Sequence, residues 1–252
     1  MVKCIPVLMY HHVLPVDGFL AISIENFKAQ MEFLKKKNYY TLSSEEFLAF
    51  KKGLFIPPRK SVFITFDDGW RDIYVYAYPI LKRLGLKATA FLITSWVERA
   101  SQKKTLFEPL SHKECKKVVK TAPEKVILNW KEIEIMKDCF DFHSHTHSHF
   151  EESLTFEEEF LLSKEILKNR LGIDSKHLCW PRGFFSTELI LLAKKYGYKI
   201  FYTTKRGTNL PDGNLDLIKR IAVKPSTFWL KKTLFIYSHR LISSVYESFK
   251  KL

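Results

Sequence analysis

Short apolar runs that stop at charged or histidine-rich residues recur along this chain, and longer amphipathic stretches separate them. Residues 5–9, 61–66, 88–94, 140–142, 178–180, 200–203 and 217–223 have the length and the branched or aromatic content of buried strands. Phe27, Met31, Phe33 and Leu34 give 27–37 one apolar face, and 73–84, 131–138, 156–171 and 187–196 also read as helices. Ser43 to Glu46 reads as a helix start with acids in its first turn. Segment 98–126 is lysine-rich, contains Pro109 and Pro123, and predicts an inserted loop and helix. Strand–helix alternation predicts an α/β fold with a mostly parallel sheet. Such sheets carry their sites at the carboxyl ends of the strands. Four places qualify: Tyr10-His11-His12, Asp67-Asp68-Gly69, His143 to His149, and Pro181-Arg182-Gly183.

Composition narrows the class. The chain has 252 residues, 46 % of them hydrophobic, enough for a real core, and this excludes disorder as the main state. Nine Gly and ten Pro without period exclude collagen-like and low-complexity folds. Cys4, Cys115, Cys139 and Cys179 are scattered, so they read as reduced thiols rather than a disulfide framework or a zinc knot. The opening residues are too short and too polar at their end for a secretory signal, which predicts a cytoplasmic protein. The formal charge of +14 calls for an anionic partner.

The two clusters with chemistry in them are acidic and histidine-rich. Asp67 and Asp68 follow the 61–66 run directly. Asp-Asp-Gly is also a good turn, but adjacent carboxylates repel unless a cation or a proton lies between them. His143, His145, His147 and His149 alternate just beyond another strand end. His145 and His149, or His143 and His147, would share a face on one helical turn, and spacing does not choose between the pairs. An Asp with two His makes a metal site with open positions, suited to Zn²⁺, Fe²⁺, Co²⁺ or Mn²⁺. A non-haem oxygenase would use the same ligands. The second carboxylate argues instead for hydrolysis, one Asp ligating the ion and the other acting as base.

Thr65-Phe66-Asp67-Asp68-Gly69-Trp70-Arg71-Asp72 resembles the first motif of the polysaccharide deacetylases, the NodB-homology enzymes of carbohydrate esterase family 4. Ser144-His145-Thr146-His147-Ser148-His149 resembles their second motif. Leu8-Met9-Tyr10-His11, Pro79-Ile80-Leu81, Ala88-Thr89-Ala90-Phe91 and the stretch from Thr203 to Ile221 resemble further parts of the same domain. The resemblance implies a distorted, incomplete (β/α) barrel over 1–223, with 224–252 as a basic amphipathic extension. It implies metal-dependent removal of an N-acyl group, usually acetyl, from an amino sugar. By position, Asp67 would be the base on a metal-bound water, and Asp68, His145 and His149 the ligands of a divalent metal, zinc first, with iron, cobalt or manganese as alternatives.

Departures from the family pattern set further expectations. Trp180-Pro181-Arg182-Gly183 keeps the Pro and Gly of the third motif but places Arg182 where the family has Tyr. A backbone N–H in this loop, near Gly183, would stabilise the oxyanion, and Tyr10 and Arg182 would contact substrate. The Arg that orients the catalytic Asp in one branch of the family has no match, since Cys179 stands there. Nothing matches the general-acid motif; His239 lies beyond the last strand, and His11 is better placed to protonate the leaving amine. A glycan-binding protein of the same fold with little or no turnover is the alternative.

Residues 224–252 place Phe228, Trp229, Leu241, Ile242 and Val245 among Lys231, Lys232, Arg240, Lys250 and Lys251. Such a stretch fits either a helix packed on the barrel or peripheral contact with the inner face of a membrane. The partners expected are then an N-acetylated glycan or lipid-linked sugar. Nucleic acid is disfavoured, because the lysines form no single arm or motif.

Overall fold

The computed structural model describes residues 4–249. In chain order they form β1 (Val7–Tyr10), β2 (His12–Leu14), β3 (Ala21–Ser23), α1 (Ile24–Lys36), β4 (Tyr40–Thr41), α2 (Ser44–Lys51) and β5 (Ser61–Phe66). A π-helical turn (Ile73–Ala77) then leads into α3 (Tyr78–Leu84), β6 (Ala88–Leu92), α4 (Thr94–Ala100), α5 (His112–Val118), α6 (Trp130–Met136) and β7 (Phe140–Ser144). The remainder is α7 (Phe156–Leu171), β8 (His177–Cys179), α8 (Thr187–Lys195), β9 (Ile200–Tyr202), β10 (Ile221–Ala222), α9 (Thr227–Tyr237) and α10 (Arg240–Phe249).

The main sheet runs β10-β1-β5-β6-β7-β8-β9, with every pairing parallel, and β4 pairs with the start of β5. It curls into an incomplete barrel with its seam between β9 and β10. Ile218 bridges Tyr202 of β9 just before the chain enters β10 against β1. This is the architecture the family resemblance implied. The alternating pleat of β5 divides the core. Phe63 faces the barrel interior with Val7, Phe91 and Tyr202. Val62, Ile64 and Phe66 face outward into the layer packed with helices, among Phe27, Met31 and Leu34 of α1.

Local chemistry explains most helix boundaries. Capping boxes open α2 at Ser43, α5 at Ser111, α6 at Asn129 and α7 at Thr155. The 73–84 segment departs from the single α-helix expected. Pro79 has no N–H to give the Val75 carbonyl, so the i→i−4 ladder cannot run unbroken, and the first turn is π-helical.

The boundary expected at residue 223 does not mark the end of packing. Leu230 and Leu234 of α9 are fully buried in the same cluster as Phe27 and Met31. α10 is different: Leu241 is 80 % exposed and Val245 56 %. Lys250 and Lys251 lie outside the described residues. Among the described residues, no helix is long and apolar enough to cross a membrane.

Candidate active site

The carboxyl ends of β1, β5, β7, β8 and β9 meet at one cleft of about 280 Å³, lined among others by His11, Asp67, Asp68, His145, His149 and Arg182. All four strand-end clusters picked out in the sequence therefore contribute to one place. Asp67 continues the inward parity of Phe63 and Thr65 at the top of β5. Asp68 and Gly69 then take positive φ of 74° and 80°, which turns the second carboxylate toward the histidine loop. A non-glycine residue held at positive φ costs energy and is kept where the surroundings fix it. Here Trp70 helps to fix it, its indole N–H donating to Asp68 Oδ2 at 2.9 Å.

The histidine loop is not a helical turn, contrary to the one-face expectation. Residues 145–150 form a bend in which Thr146, His149 and Phe150 have positive φ. Buried Glu159 of α7 organises this bend: its Oε2 accepts from the His147 and Ser148 backbone N–H groups at 2.8 Å each, and Ser148 Oγ donates to Oε1. The Thr146 N–H donates to Ser144 Oγ, and the His149 N–H to Thr146 Oγ1.

This geometry chooses between the two histidine pairs. Asp68, His145 and His149 bring ligand atoms within 4.8 Å of one another, all on buried residues. The Nε2 atoms of His145 and His149 lie 3.2 and 3.9 Å from Asp68 Oδ1. His145 Nδ1 donates to the Cys179 carbonyl at 2.8 Å, so Nε2 is the ring nitrogen that faces the site. His149 Nδ1 lies 3.3 Å from Glu151 Oε1, which directs its Nε2 the same way. Fixing the outer ring nitrogen in this manner is how metal-binding imidazoles are held. One carboxylate oxygen and two imidazole nitrogens with set tautomers fit a divalent ion. The other two histidines do not take part. His143 lies between Ser44 and Ser175 in the barrel, and His147 bonds Thr94 Oγ1.

Asp67 has a partner that the sequence reading did not find. Buried Arg220 grips it with both terminal nitrogens, at 2.6 Å to Oδ1 and 2.8 Å to Oδ2, across 153 residues of sequence. Arg220 is itself anchored by its Nε–H to the Thr203 carbonyl at 2.9 Å. The Asp-orienting arginine is thus present: it enters from the residue just before β10, the strand that closes the barrel, where Cys179 leaves space, its Sγ 3.0 Å from Arg220. Burial opposes the charge of Asp67, but Arg220 outweighs it and holds the carboxyl below its ordinary range. Burial likewise opposes ionisation of Asp68, and the hydrogen bond from His145 with the surrounding imidazoles holds it well below.

The remaining expected residues divide. His11 lines the cleft with Nε2 3.9 Å from Asp67 Oδ2, and burial pushes its pKa down. Arg182 lines the rim at a φ of 56° and donates to Glu151 Oε1 at 2.6 Å. Lys116 reaches the same oxygen at 2.8 Å, and Glu151, mainly through its bond to His149, has its pKa pulled down to about 2. The Tyr10 ring is corrected out of the substrate contacts: it packs on Phe27 and Phe66, and its hydroxyl donates to Gln30 at 2.7 Å. Tyr10 touches the site only through its carbonyl, which accepts from the Asp67 N–H. Gly183 is corrected as an oxyanion donor, because its N–H is spent on the Trp180 carbonyl at 3.0 Å. Its place is steric: at a φ of +70°, a Cβ would lie 2.2 Å from Thr204 Oγ1. His239 is not part of the cleft; its Nδ1 bonds the Phe235 carbonyl. His112 and Lys116, which do line it, lie on α5 in the segment read as an inserted loop and helix, with no site residue expected there.

Fold and site together define a carbohydrate deacetylase, an enzyme that hydrolyses an amide C–N bond. The chain belongs to the polysaccharide deacetylase family, whose model matches residues 56–201. It is 28 % identical to the poly-beta-1,6-N-acetyl-D-glucosamine N-deacetylase of Staphylococcus aureus, over 82 % of this chain and 69 % of that protein. It is 29 % identical to the protein of the same name from Staphylococcus epidermidis, over 82 % and 70 %. Among solved structures it is similar to the Streptococcus pyogenes deacetylase PplD, determined in complex with acetate, with a TM-score of 0.76 and 27 % identity over 93 % of this chain and 99 % of that one. IcaB from Ammonifex degensii shares the fold, with a TM-score of 0.74 and 24 % identity over 92 % and 97 %.

Proposed function

We propose that this protein is a metal-dependent N-deacetylase acting on N-acetylglucosamine residues of a cell-envelope glycan. The observation that carries the reading is the contrast at Asp67-Asp68: one carboxylate held by a buried arginine, its neighbour facing two imidazoles with fixed tautomers. A divalent ion held by Asp68, His145 and His149, zinc first among the candidates, would acidify a water and polarise the amide carbonyl. Asp67, kept ionised and oriented by Arg220, takes the proton as the amide is attacked. The proton that Asp67 takes up is passed on to the departing amine nitrogen through His11, whose Nε2 lies 3.9 Å from Asp67 Oδ2. The cleft lies at the low end of the ~300–1,000 Å³ typical of small-molecule sites, so it suits one sugar residue with its acyl group while the rest of the glycan stays outside.

Incubating the protein with β-1,6-linked N-acetylglucosamine oligomers and assaying acetate tests this. Acetate release that stops with a chelator and returns with added Zn²⁺, Co²⁺ or Mn²⁺ is the expected result. Oligosaccharide binding without acetate under any ion would favour a glycan-binding protein of the same fold.

We also propose peripheral attachment to the inner face of a membrane through α10, which presents exposed Leu241, Ile242 and Val245 next to Arg240. Co-sedimentation with anionic vesicles that is lost in Leu241→Asp/Val245→Asp supports this, and sedimentation independent of anionic lipid contradicts it.

A further inference from the structure

Beside the histidine loop, the cleft wall is made by α5, whose Lys116 reaches Glu151 Oε1 at 2.8 Å. His112 sits there beside Lys116, one helical turn apart, and both line the same cleft as Asp67 and Asp68. His112 does not depend on the metal site for its hydrogen bonding. Its Nδ1 lies 3.1 Å from His12 Nε2, and His12 Nδ1 lies 2.7 Å from Asp72 Oδ2. Both His12 and Asp72 are fully or almost fully buried. The other oxygen of Asp72 accepts the Val13 N–H at 2.8 Å, and the His12 ring stacks on Trp70 at 4.5 Å. The chain is therefore directional. A carboxylate can only accept, so His12 Nδ1 carries a proton, and with one proton on each ring His12 Nε2 accepts from His112 Nδ1–H and Nε2 of His112 keeps its lone pair.

Such an arrangement is costly for a structural purpose. Two imidazoles and a carboxylate are placed in series behind a cleft wall that an apolar side chain could fill. Burial, first among the causes, pushes the His112 pKa down to about 4, so the ring is neutral under ordinary conditions and acts as a hydrogen-bond acceptor. Phe19, 77 % exposed, meets the His112 ring edge-on at 5.6 Å, and its neighbour Leu20 lines the cleft at a positive φ of 56°. The cleft thus offers one fixed acceptor, with Trp180 as an aromatic side chain elsewhere in its lining, and such an acceptor suits a sugar hydroxyl.

We propose that His112 is a specificity-determining residue: it accepts a hydrogen bond from a hydroxyl of the N-acyl sugar in the cleft, and buried Asp72 and His12 act as positioning residues that set its tautomer. The assignment deepens the deacetylase reading and rests on it for the class of ligand.

The test is calorimetric binding of a β-1,6-linked N-acetylglucosamine oligomer to the zinc-loaded full chain, alongside its acetate-release kinetics. His112→Phe keeps the ring volume and loses the acceptor, whereas His112→Gln keeps an acceptor. A site built to bond a hydroxyl discriminates strongly when the partner is removed. The expected result is about tenfold weaker binding and a raised KM in His112→Phe with a smaller change in kcat, and substantial recovery in His112→Gln, for one lost hydrogen bond. Asp72→Asn should weaken binding in the wild-type background and add little in the His112→Phe background. Equal binding by wild type and His112→Phe overturns the proposal, as does weakening by Asp72→Asn that is undiminished in His112→Phe. If the oligomer binds wild type and binding falls in His112→Phe while no acetate appears, the hydrolase reading fails and the His112 contact stands. If wild type does not bind the oligomer at all, both fall.

Discussion

Asp67 and Asp68 are adjacent in sequence and alike in chemistry, yet they face different partners in one cleft. Asp67 faces inward on the pleat of β5 and is clamped by Arg220. Asp68 is turned out of that pleat by its positive φ, and its Oδ1 faces His145 and His149. The residue type does not assign the roles here; the neighbours do. A carboxylate saturated by a guanidinium is held in place and kept ionised, whereas one that faces two imidazole nitrogens supplies charge to a cation.

The sharpest way to break this comparison is to remove the cation-binding side. Asp68→Ala should abolish stoichiometric ion binding, measured by metal analysis, and bring acetate release to background. Asp67→Asn should bind the ion with wild-type stoichiometry and still lose about 10²–10⁴ in rate, the usual worth of a general base. Next comes Arg220→Met, which leaves the buried Asp67 carboxylate without its partner. Breaking a buried pair from one side costs about 3–5 kcal/mol, read as a lower denaturation midpoint. The sign of the pH dependence follows. Asp67 titrates below its unfolded value in the native protein, so its stabilisation is present above ~4 and is lost as pH falls through the lower native value. Arg220→Met should show less of that acid-side loss.

Smaller effects test the surrounding supports. Glu151→Gln removes the charge behind His149 Nδ1 and should weaken ion affinity by roughly 10–100-fold, measured by competition with a chromogenic chelator. Arg182→Ala removes a rim cation whose ion pair with Glu151 is largely solvent-exposed, worth about 0–1 kcal/mol, so it should shift KM only modestly and leave the ion in place.

The contrast also explains which parts of the site were legible in the sequence. Asp67-Asp68-Gly69 and the histidine cluster were readable because each lies within a few residues at a strand end, where local pattern and chemistry coincide. The strand–helix order was readable for the same reason, and it carried the barrel with it. The partners of these groups were not. Arg220 meets Asp67 only because the last strand closes the barrel; it belongs to the stretch that resembles the family's last third, but nothing in that pattern pairs it with an aspartate 153 residues earlier. His112 lay in a segment without clear periodicity. The choice of His145 and His149 over His143 and His147 came from family resemblance, because the loop that decides it is a bend held by Glu159 and not a helical turn. Tyr10 misled for a simpler reason: a residue at a strand end can point into the core as readily as into the cleft.

The central claim is the division of labour between the two aspartates, and paired zinc calorimetry and acetate release on Asp67→Asn test it most directly. One zinc bound with near wild-type affinity and acetate release lowered by about 10²–10⁴ is the predicted result. Acetate release at the wild-type rate, or loss of the zinc together with activity, would contradict it.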